Sequence, residues 1–309
     1  MKTDKKYKLT DETILVNGII LYRIKALKDF SNVKKGDKGG FVESENNLSH
    51  EDNCWIYDNA RVFENAKVYD NANVFGRAEV YGDAVVYNNA NIHGNAKVFE
   101  NAKVFENAEV CGNAMIYGDA MIFENAKVFG NARVFENAKV FGNAKVYYSP
   151  KIYGNARIGG GAYVYGSAKV CGAAMIADKA KVYGNALIYG NAMIYGDAVI
   201  CANARVYGET EIKGDATVLS CSDYIVFKNW WGSGRYFTWT RSNNMWAVGC
   251  FYGTGEELIA KAYKDSELSG REYKKAVKYV ESILRESNTT TILNKIKQCL
   301  TKFLEKFKL

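Results

Sequence analysis

The chain of 309 residues is 48% hydrophobic, carries a formal net charge of +7 and contains seven cysteines. The cysteines are odd in number, lie far apart and form no CxxC pair, which argues against a disulfide framework and favours reduced thiols in a cytoplasm. No apolar run is long enough to span a bilayer. The modest positive charge favours anionic partners only weakly, and nothing in the sequence strongly indicates binding to a nucleic-acid polymer.

Residues 1–53 are predicted to form an N-terminal β cap. They contain a hairpin, ETILVNGIILYRIKAL, with the turn pair Asn17-Gly18 between its strands. A glycine-rich stretch, KKGDKGGFVESENNLSHEDN, follows the hairpin. Because the open end of a stacked repeat exposes unpaired strand edges, we expect this segment to cover the first coil of the repeat that comes next.

Residues 54–221 repeat every six residues. Val or Ile, here called the anchor, occupies each sixth position from Ile56 to Val218, which makes 28 units without insertion or deletion. A period of six does not fit an amphipathic helix, whereas β-branched residues suit short strands joined by corners. Four residues after each anchor comes a small residue, nearly always Ala, which is expected to point inward at a corner. The Asn and Gly that precede it are expected to supply left-handed backbone conformations.

This pattern resembles the hexapeptide-repeat family, whose fold is a left-handed parallel β-helix. The resemblance implies a mostly β fold with triangular coils of eighteen residues, so that 28 units make about nine coils. The chain departs from the family pattern in carrying Tyr or Phe after the anchor, where members often carry Gly or a small or acidic residue. Its two ends, through LYRIKALKDF, GDKGGFVE and VGCFYGTGEEL, resemble phage and prophage hexapeptide-repeat proteins of unassigned activity.

The chain after the repeat is predicted to form two further parts. Residues 222–286 combine strand-like runs with two helical patterns, and Thr254 and Glu257 have capping-box spacing, so we expect a small α+β domain. Residues 287–309 are expected to form a basic amphipathic helix that joins subunits, packs on the repeat or, less favoured, lies on a membrane surface. Its apolar seam comprises Leu293, Ile296, Leu300, Phe303 and Phe307.

Aromatic residues that follow the anchors form ladders at eighteen-residue spacing. On one face, Phe99, Tyr117 and Phe135 stand beside a largely basic column and are candidate interface residues of a homo-oligomer, a trimer by family analogy. The alternative is that the rings stack only on one another and stabilise a single solenoid.

Two sets of residues are candidate ligand-binding sites. In the first, small residues interrupt an aromatic column and leave a notch, formed by Phe141, Arg157, Gly159, Ala177 and Tyr195. The second lies in the C-terminal domain and comprises Trp230, Trp231, Arg235, Trp239, Arg241 and Trp246. Rings beside arginines suit an anionic nucleotide or a host protein, although one or two of the Trp residues are expected to be core, and packing of protein into the notch is the favoured alternative.

The chemistry expected of the chain is non-catalytic. The leading hypothesis is a phage-type binding or scaffold protein that sequesters a host molecule such as an anionic nucleotide, with no cofactor and no metal, in the host cytoplasm. Because many left-handed β-helix proteins are CoA-dependent acyltransferases, the alternative enzyme would use acyl-CoA and His93 as its base. His93 has no orienting acid that the sequence identifies, and the repeat has no inserted loop. A structural virion or surface component is the third hypothesis.

Overall fold

The computed structural model describes residues 5–286. The chain begins with three strands, Tyr7–Val16, Ile19–Ala26 and Lys38–Val42, followed by a single 3-10 turn over Glu45–Asn47. The first two strands are antiparallel and meet at Asn17 and Gly18, both with positive φ, as the hairpin prediction requires. The third strand pairs in parallel with Arg61–Val62, a two-residue strand of the repeat (such strands are called rungs below).

The repeat forms a parallel β-solenoid of 28 two-residue strands at six-residue intervals, from Trp55–Ile56 to Thr217–Val218. Each strand pairs with the strands eighteen residues before and after it, so the strands stack into three sheets. The first holds the three N-terminal strands and the rungs from Arg61–Val62 to Arg205–Val206. The second runs from Trp55–Ile56 to Thr217–Val218, and the third from Lys67–Val68 to Glu211–Ile212. The predicted hexapeptide-repeat solenoid is therefore confirmed.

The interior of the solenoid consists of the anchors and the small corner residues. Every anchor from Ile56 to Val218 is at most 1% exposed, and the corner alanines, from Ala60 to Ala216, are 0% exposed. Full burial of a Val or Ile side chain contributes about 1.5–3 kcal/mol before entropy is subtracted. The inward apolar column therefore accounts for the stability of the solenoid.

The corners differ from the prediction in one detail. The left-handed residue is the one two positions after the anchor, at every sixth position from Asp58 to Gly214. The prediction was right for Gly and wrong for the Asn of each Asn-Ala pair. That Asn instead links successive coils: its side-chain amide donates to the equivalent Asn one coil further, as from Asn95 to Asn113 at 3.1 Å.

The N-terminal segment and the solenoid belong to one compact unit, which comprises the chain up to residue 224 together with 240–243. Lys6 is 1% exposed, and its ammonium group donates to the backbone carbonyls of Glu51, Asp52 and Cys54 at 3.0, 3.3 and 2.9 Å. Tyr7 is also buried and donates to the carbonyl of Leu48 at 2.8 Å. These contacts fix the first strand to the segment that enters the first coil.

Among the described residues, the second unit comprises 225–239 and 244–286. Its sheet is formed by Tyr224–Lys228, Tyr236–Thr240, Met245–Val248 and Phe251–Gly253. One helix spans Gly255–Asp265, with the predicted capping box between Thr254 and Glu257, and another begins at residue 267 and continues to the last described residue. The predicted tail helix over 287–309 lies outside the described residues. None of the helices among residues 5–286 is long and apolar enough to cross a membrane.

Candidate functional site

A column of side chains on the second sheet leads from the N-terminal segment along the solenoid. It occupies the position after the anchor in four successive coils: Tyr57, Phe75, His93 and Cys111. The rings of Tyr57 and Phe75 meet edge to face at 6.4 Å between centroids, and Phe75 and His93 are stacked at 4.7 Å. The column therefore changes from aromatic rings to groups that ligate metals or transfer protons.

A groove lies beside the start of this column. One part of it has a volume of about 320 Å³ and is lined by Asn32, Tyr57, Asp58, Asn73, Phe75 and Asn91. An adjoining space of about 510 Å³ is lined by Ser31, Asn32, Asn53, Tyr57, Asn71, Asn73, Asn89 and Asn91. Tyr57 donates to the side-chain oxygen of Asn32 at 2.7 Å, which holds the loop after the second strand against the solenoid. We call this combined cleft the asparagine groove.

Hydrogen bonds from coil to coil order the amides of the groove. Asn53 donates to Asn71 at 3.1 Å, and Asn71 donates to Asn89 at 3.2 Å, each through its side-chain nitrogen. Asn73 donates to Asn91 at 3.4 Å in the neighbouring column. Because each side-chain amide carries N–H donors and a carbonyl acceptor, these asparagines form a wall of the groove that offers hydrogen-bond donors and acceptors at fixed spacing.

The His93 imidazole faces a carboxylate. Its Nε2 lies 3.0 Å from Oε1 of Glu109, and the other carboxylate oxygen accepts from the Lys127 ammonium at 2.6 Å. The ligating atoms of His93, Glu109 and Cys111 all lie within 4.8 Å of one another. The structure thus brings together a partly buried imidazole, carboxylate and thiol with the ammonium group of the exposed Lys127.

The charges of this cluster follow from its contacts. The hydrogen bond from Lys127 lowers the pKa of Glu109 below its ordinary value, with a smaller contribution from His93, while burial acts in the opposite direction. Burial, with the negative charge of Glu109, raises the pKa of the Cys111 thiol. At neutral pH the cluster therefore contains a charged Glu109–Lys127 pair beside a protonated thiol.

The predicted notch is partly filled by its own neighbour. A Cβ added to Gly159 would lie 2.5 Å from Cζ of Phe141, so the Phe141 ring occupies the space over the glycine. The Arg157 guanidinium lies 5.6 Å from the same ring, and the Tyr195 hydroxyl contacts the sulfur of Met193 at 3.2 Å. The structure therefore brings these predicted residues together, with Ala177 partly buried on the same face, but Phe141 takes up part of the room assigned to a ligand ring.

The tryptophans of the C-terminal domain do not form one site. Trp239 is 0% and Trp246 1% exposed, and both pack in the core of the second unit with Phe237, Leu258 and Val277. Their assignment as ligand-contacting residues is corrected on this ground, because a fully buried ring has no face left for a ligand.

The remaining residues of that set are accessible to different extents. Trp230 is 72% exposed and meets Trp231 edge to face, and Trp231 is partly buried against the core. Arg235 is exposed, whereas Arg241 belongs to the first unit, where its Nε donates to the carbonyl of Ser222 at 3.2 Å. Trp230, Trp231 and Arg235 thus remain together near one turn, without Arg241.

The three predicted interface rings of the ladder are stacked on one another. Phe99 and Tyr117 have ring centroids 4.9 Å apart, as do Tyr117 and Phe135. These three rings are partly buried by their neighbours, whereas Tyr207 near the end of the column is 48% exposed. The tail residues Leu293, Ile296, Leu300, Phe303 and Phe307, also predicted to join subunits, lie outside the described residues.

Two features of the site were not predicted from the sequence. The asparagine groove depends on a loop that folds over the solenoid, which no periodicity indicates. The contact of His93 with Glu109 had a signal in the sequence: Cys111 follows His93 by one coil of eighteen residues, and Glu109 lies two residues before Cys111. Alternation in a strand places residues two apart on the same side, so Glu109 flanks the His-Cys column.

Known proteins share the repeat with this chain. A family model described as YdcK β-solenoid repeat matches residues 186–208. A curated relative, named Uncharacterized acetyltransferase YdcK from Escherichia coli (strain K12), is 34% identical over 61 residues. This match covers 17% of the present chain and 19% of the relative, so the chain spans about a fifth of the length of the curated relative that it matches. The comparisons thus agree with the hexapeptide-repeat type of solenoid that the structure has.

Proposed function

We propose that this chain, a hexapeptide-repeat β-solenoid protein, is a non-catalytic binding protein whose ligand occupies the asparagine groove. The observation that carries the proposal is the wall of ordered amides facing Tyr57 under the loop that holds Asn32. Ligand sites are typically concave, with apolar surface and a few fixed polar groups that orient the ligand. The groove combines both features, since the edges of Tyr57 and Phe75 adjoin the amides.

The lining of the groove favours a neutral polar ligand. Among the residues that line it, Asp58 carries a negative charge and no side chain carries a positive one. The Asp58 carboxylate repels a phosphate and no cation in the lining offsets this repulsion, so an anionic nucleotide is disfavoured in this groove. A saccharide, with many hydroxyl groups and apolar C–H faces, matches alternating amides and ring edges.

Ligand-observed NMR with the full-length protein tests this proposal. The probes are two neutral oligosaccharides, maltotriose and diacetylchitobiose, and one anion, AMP. Saturation transfer is expected to a neutral saccharide and not to AMP, and it should disappear in Tyr57→Ala. Transfer to AMP alone would contradict the ligand class, and transfer that persists unchanged in Tyr57→Ala would contradict the site.

The asparagine ladder provides a matched pair of variants. Asn71 lines the groove, whereas Asn125 belongs to the same column three coils further and accepts from Asn107 at 3.3 Å. Asn71→Asp and Asn125→Asp each place a charge in the same kind of ladder. Saccharide binding should be lost in the first and retained in the second. Equal losses in both would mean that the ladder, and not the groove, determines binding.

The contact between His93 and Glu109 favours acyl transfer as a second candidate function. A carboxylate on one ring nitrogen can orient an imidazole whose other nitrogen accepts a proton. The name of the Escherichia coli relative points to the same chemistry for that protein. Within residues 55–218, however, the six-residue spacing of strands has no inserted loop that would enclose an acyl-CoA.

Acyl-CoA turnover distinguishes the two candidates. On the leading proposal, full-length protein mixed with acetyl-CoA and a panel of amine and hydroxyl acceptors releases no free CoA above background. Release of CoA that His93→Ala abolishes would establish the enzyme and overturn the non-catalytic proposal. His93→Phe serves as a fold control, because phenylalanine retains the stack on Phe75.

A further inference from the structure

Three different metal-ligating groups converge beyond the asparagine groove. Within the described residues 5–286, His93, Glu109 and Cys111 form the set of at least three His, Cys, Asp or Glu side chains close enough to hold one ion. Nε2 of His93 and Oε1 of Glu109 are already 3.0 Å apart, which is close to the separation of two ligands on one ion. These residues belong to two successive coils, so stacking of the solenoid itself creates the cluster.

The backbone holds this arrangement in place. The strand Asn91–Ile92 pairs in parallel with Glu109–Val110, and the amide of His93 donates to the carbonyl of Val110 at 2.9 Å. The amide of Cys111 donates in the same way to Val128 at 2.9 Å. Because both residues lie in a rigid ladder, only side-chain rotation is needed to direct all three groups at one point.

The ligand set suits a zinc-class ion. Zinc takes imidazole nitrogen, carboxylate oxygen and thiolate sulfur at about 2.0–2.3 Å, so tetrahedral ligand atoms lie roughly 3.3–3.8 Å apart. The widest separation in this cluster, within 4.8 Å, must therefore close by about 1 Å, which rotation of the partly buried side chains allows. Three protein ligands leave one coordination position for water or another molecule.

We propose that His93, Glu109 and Cys111 bind a divalent ion of the zinc class on the outer surface of the solenoid. The ion takes the place of the hydrogen bond between His93 and Glu109: the imidazole binds through Nε2 as a neutral ring with its proton on Nδ1, and the thiol of Cys111 binds as thiolate after its proton passes to solvent. This site is distinct from the asparagine groove, and the proposal does not depend on the proposed function. It also departs from the expectation of a metal-free protein, because the sequence alone did not show the three side chains together.

Lys127 competes with the ion for the carboxylate. Its ammonium group lies 2.6 Å from Oε2 of Glu109. A dication and an ammonium group a few ångströms apart repel each other. Removal of Lys127 is therefore expected to strengthen metal binding. If the three side chains only stabilise the fold and bind no ion, removal of Lys127 has no metal affinity to change.

Titration of the full-length reduced protein with Co²⁺ tests the site. Cobalt takes the same ligands as zinc and gives a near-ultraviolet charge-transfer band when a thiolate is bound. We expect this band to saturate at one equivalent per chain and Zn²⁺ to remove it by displacement. The band should be absent in Cys111→Ser, and affinity should fall at least about tenfold in His93→Phe, which retains the ring stack.

Two further variants complete the experiment. Cys171→Ser removes a thiol from the equivalent position on another face and should leave the titration unchanged. Lys127→Met should tighten Co²⁺ binding by roughly tenfold at low salt. Absence of a thiolate band in the wild-type protein, or a band that persists in Cys111→Ser, would overturn the proposal. Unchanged affinity in Lys127→Met would contradict the position of the ion beside Glu109.

Discussion

The Glu100 carboxylate accepts a hydrogen bond from the backbone amide of Gly118, one coil further along the chain, at 2.7 Å. Glu100 itself has a left-handed backbone with φ of 58°, which costs a residue with a Cβ about 1–2 kcal/mol. The same bond joins Glu64 to Gly82 at 2.7 Å. A charged acceptor on the amide of the next corner thus offsets the strain of a non-glycine residue in this position.

Glu100→Ala is expected to lower the free energy of unfolding by about 1–2 kcal/mol, because the bond is lost and the backbone strain remains. Glu100→Gln, which keeps a side-chain oxygen, should lose less. Glu106→Ala is the matched control, since Glu106 has the same φ of 58° and no such bond to the next coil among the described contacts. Urea unfolding measures all three. Equal losses in Glu100→Ala and Glu106→Ala would contradict a contribution from the hydrogen bond.

Val134→Asp is expected to abolish folding of the solenoid. Val134 is 0% exposed among other anchors, and an unpaired carboxylate there has neither water nor a hydrogen-bond partner. Val134→Ala, which leaves only a small cavity, should cost about 1–3 kcal/mol and still fold. Circular dichroism and urea unfolding distinguish the two variants.

Chelation is expected to leave the fold intact. The proposed ion lies outside the column of buried anchors, so EDTA should remove it without changing the unfolding midpoint by more than the contribution of ligand binding. A collapse of the wild-type fold in EDTA would show that the metal is structural.

Self-association is expected to depend on the ladder that contains Phe99, Tyr117 and Phe135. A charge at each of these positions should weaken the oligomer more than deletion of residues 288–309, because the seam predicted there from the sequence covers only two heptads, which are marginal alone. Charges at Phe105 and Phe123 are the control, since these rings are also stacked, at 5.1 Å, on another face. Sedimentation of wild-type protein as a monomer at tens of micromolar would refute the oligomer.

Stability is expected to fall above about pH 10, where an unfolded tyrosine loses its proton. Burial raises the pKa of Tyr7, so the folded state keeps this proton over a range in which the unfolded state has lost it. Each such group lowers the free energy of unfolding by about 1.4 kcal/mol per pH unit in that range.

Tyr7→Phe tests the alkaline effect, because it should make the fall with pH shallower. Burial lowers the pKa of Lys6, which acts in the opposite direction between its folded pKa and the ordinary value near 10.5. Lys6 is present in both proteins, so comparison of the two pH profiles cancels its contribution. Profiles of equal slope from urea unfolding at pH 9–11 would contradict the assignment to Tyr7.

Features of the molecule that backbone periodicity decides could be predicted from the sequence, whereas features that side-chain direction decides could not. A strict spacing of six places Val134 and all the remaining anchors inward, because alternation along each strand and the closure of each coil leave no other arrangement. Spacing alone does not say that Phe141 leans over Gly159 or that Trp239 is buried while Trp230 is exposed. These depend on rotamers and on the packing of segments that do not repeat.

The uninterrupted repeat has a consequence for how such a protein changes length. Loss of one hexapeptide would leave the coil geometry intact but would move every later residue to the neighbouring one of the three faces. If the lost hexapeptide lay between His93 and Cys111, Cys111 would no longer follow His93 in the same column. Each column of outward side chains after the deletion would then continue a column from a different face. Insertions and deletions that preserve the surface must therefore come in whole coils of eighteen residues, so we expect natural variants of this solenoid to differ in length by that step.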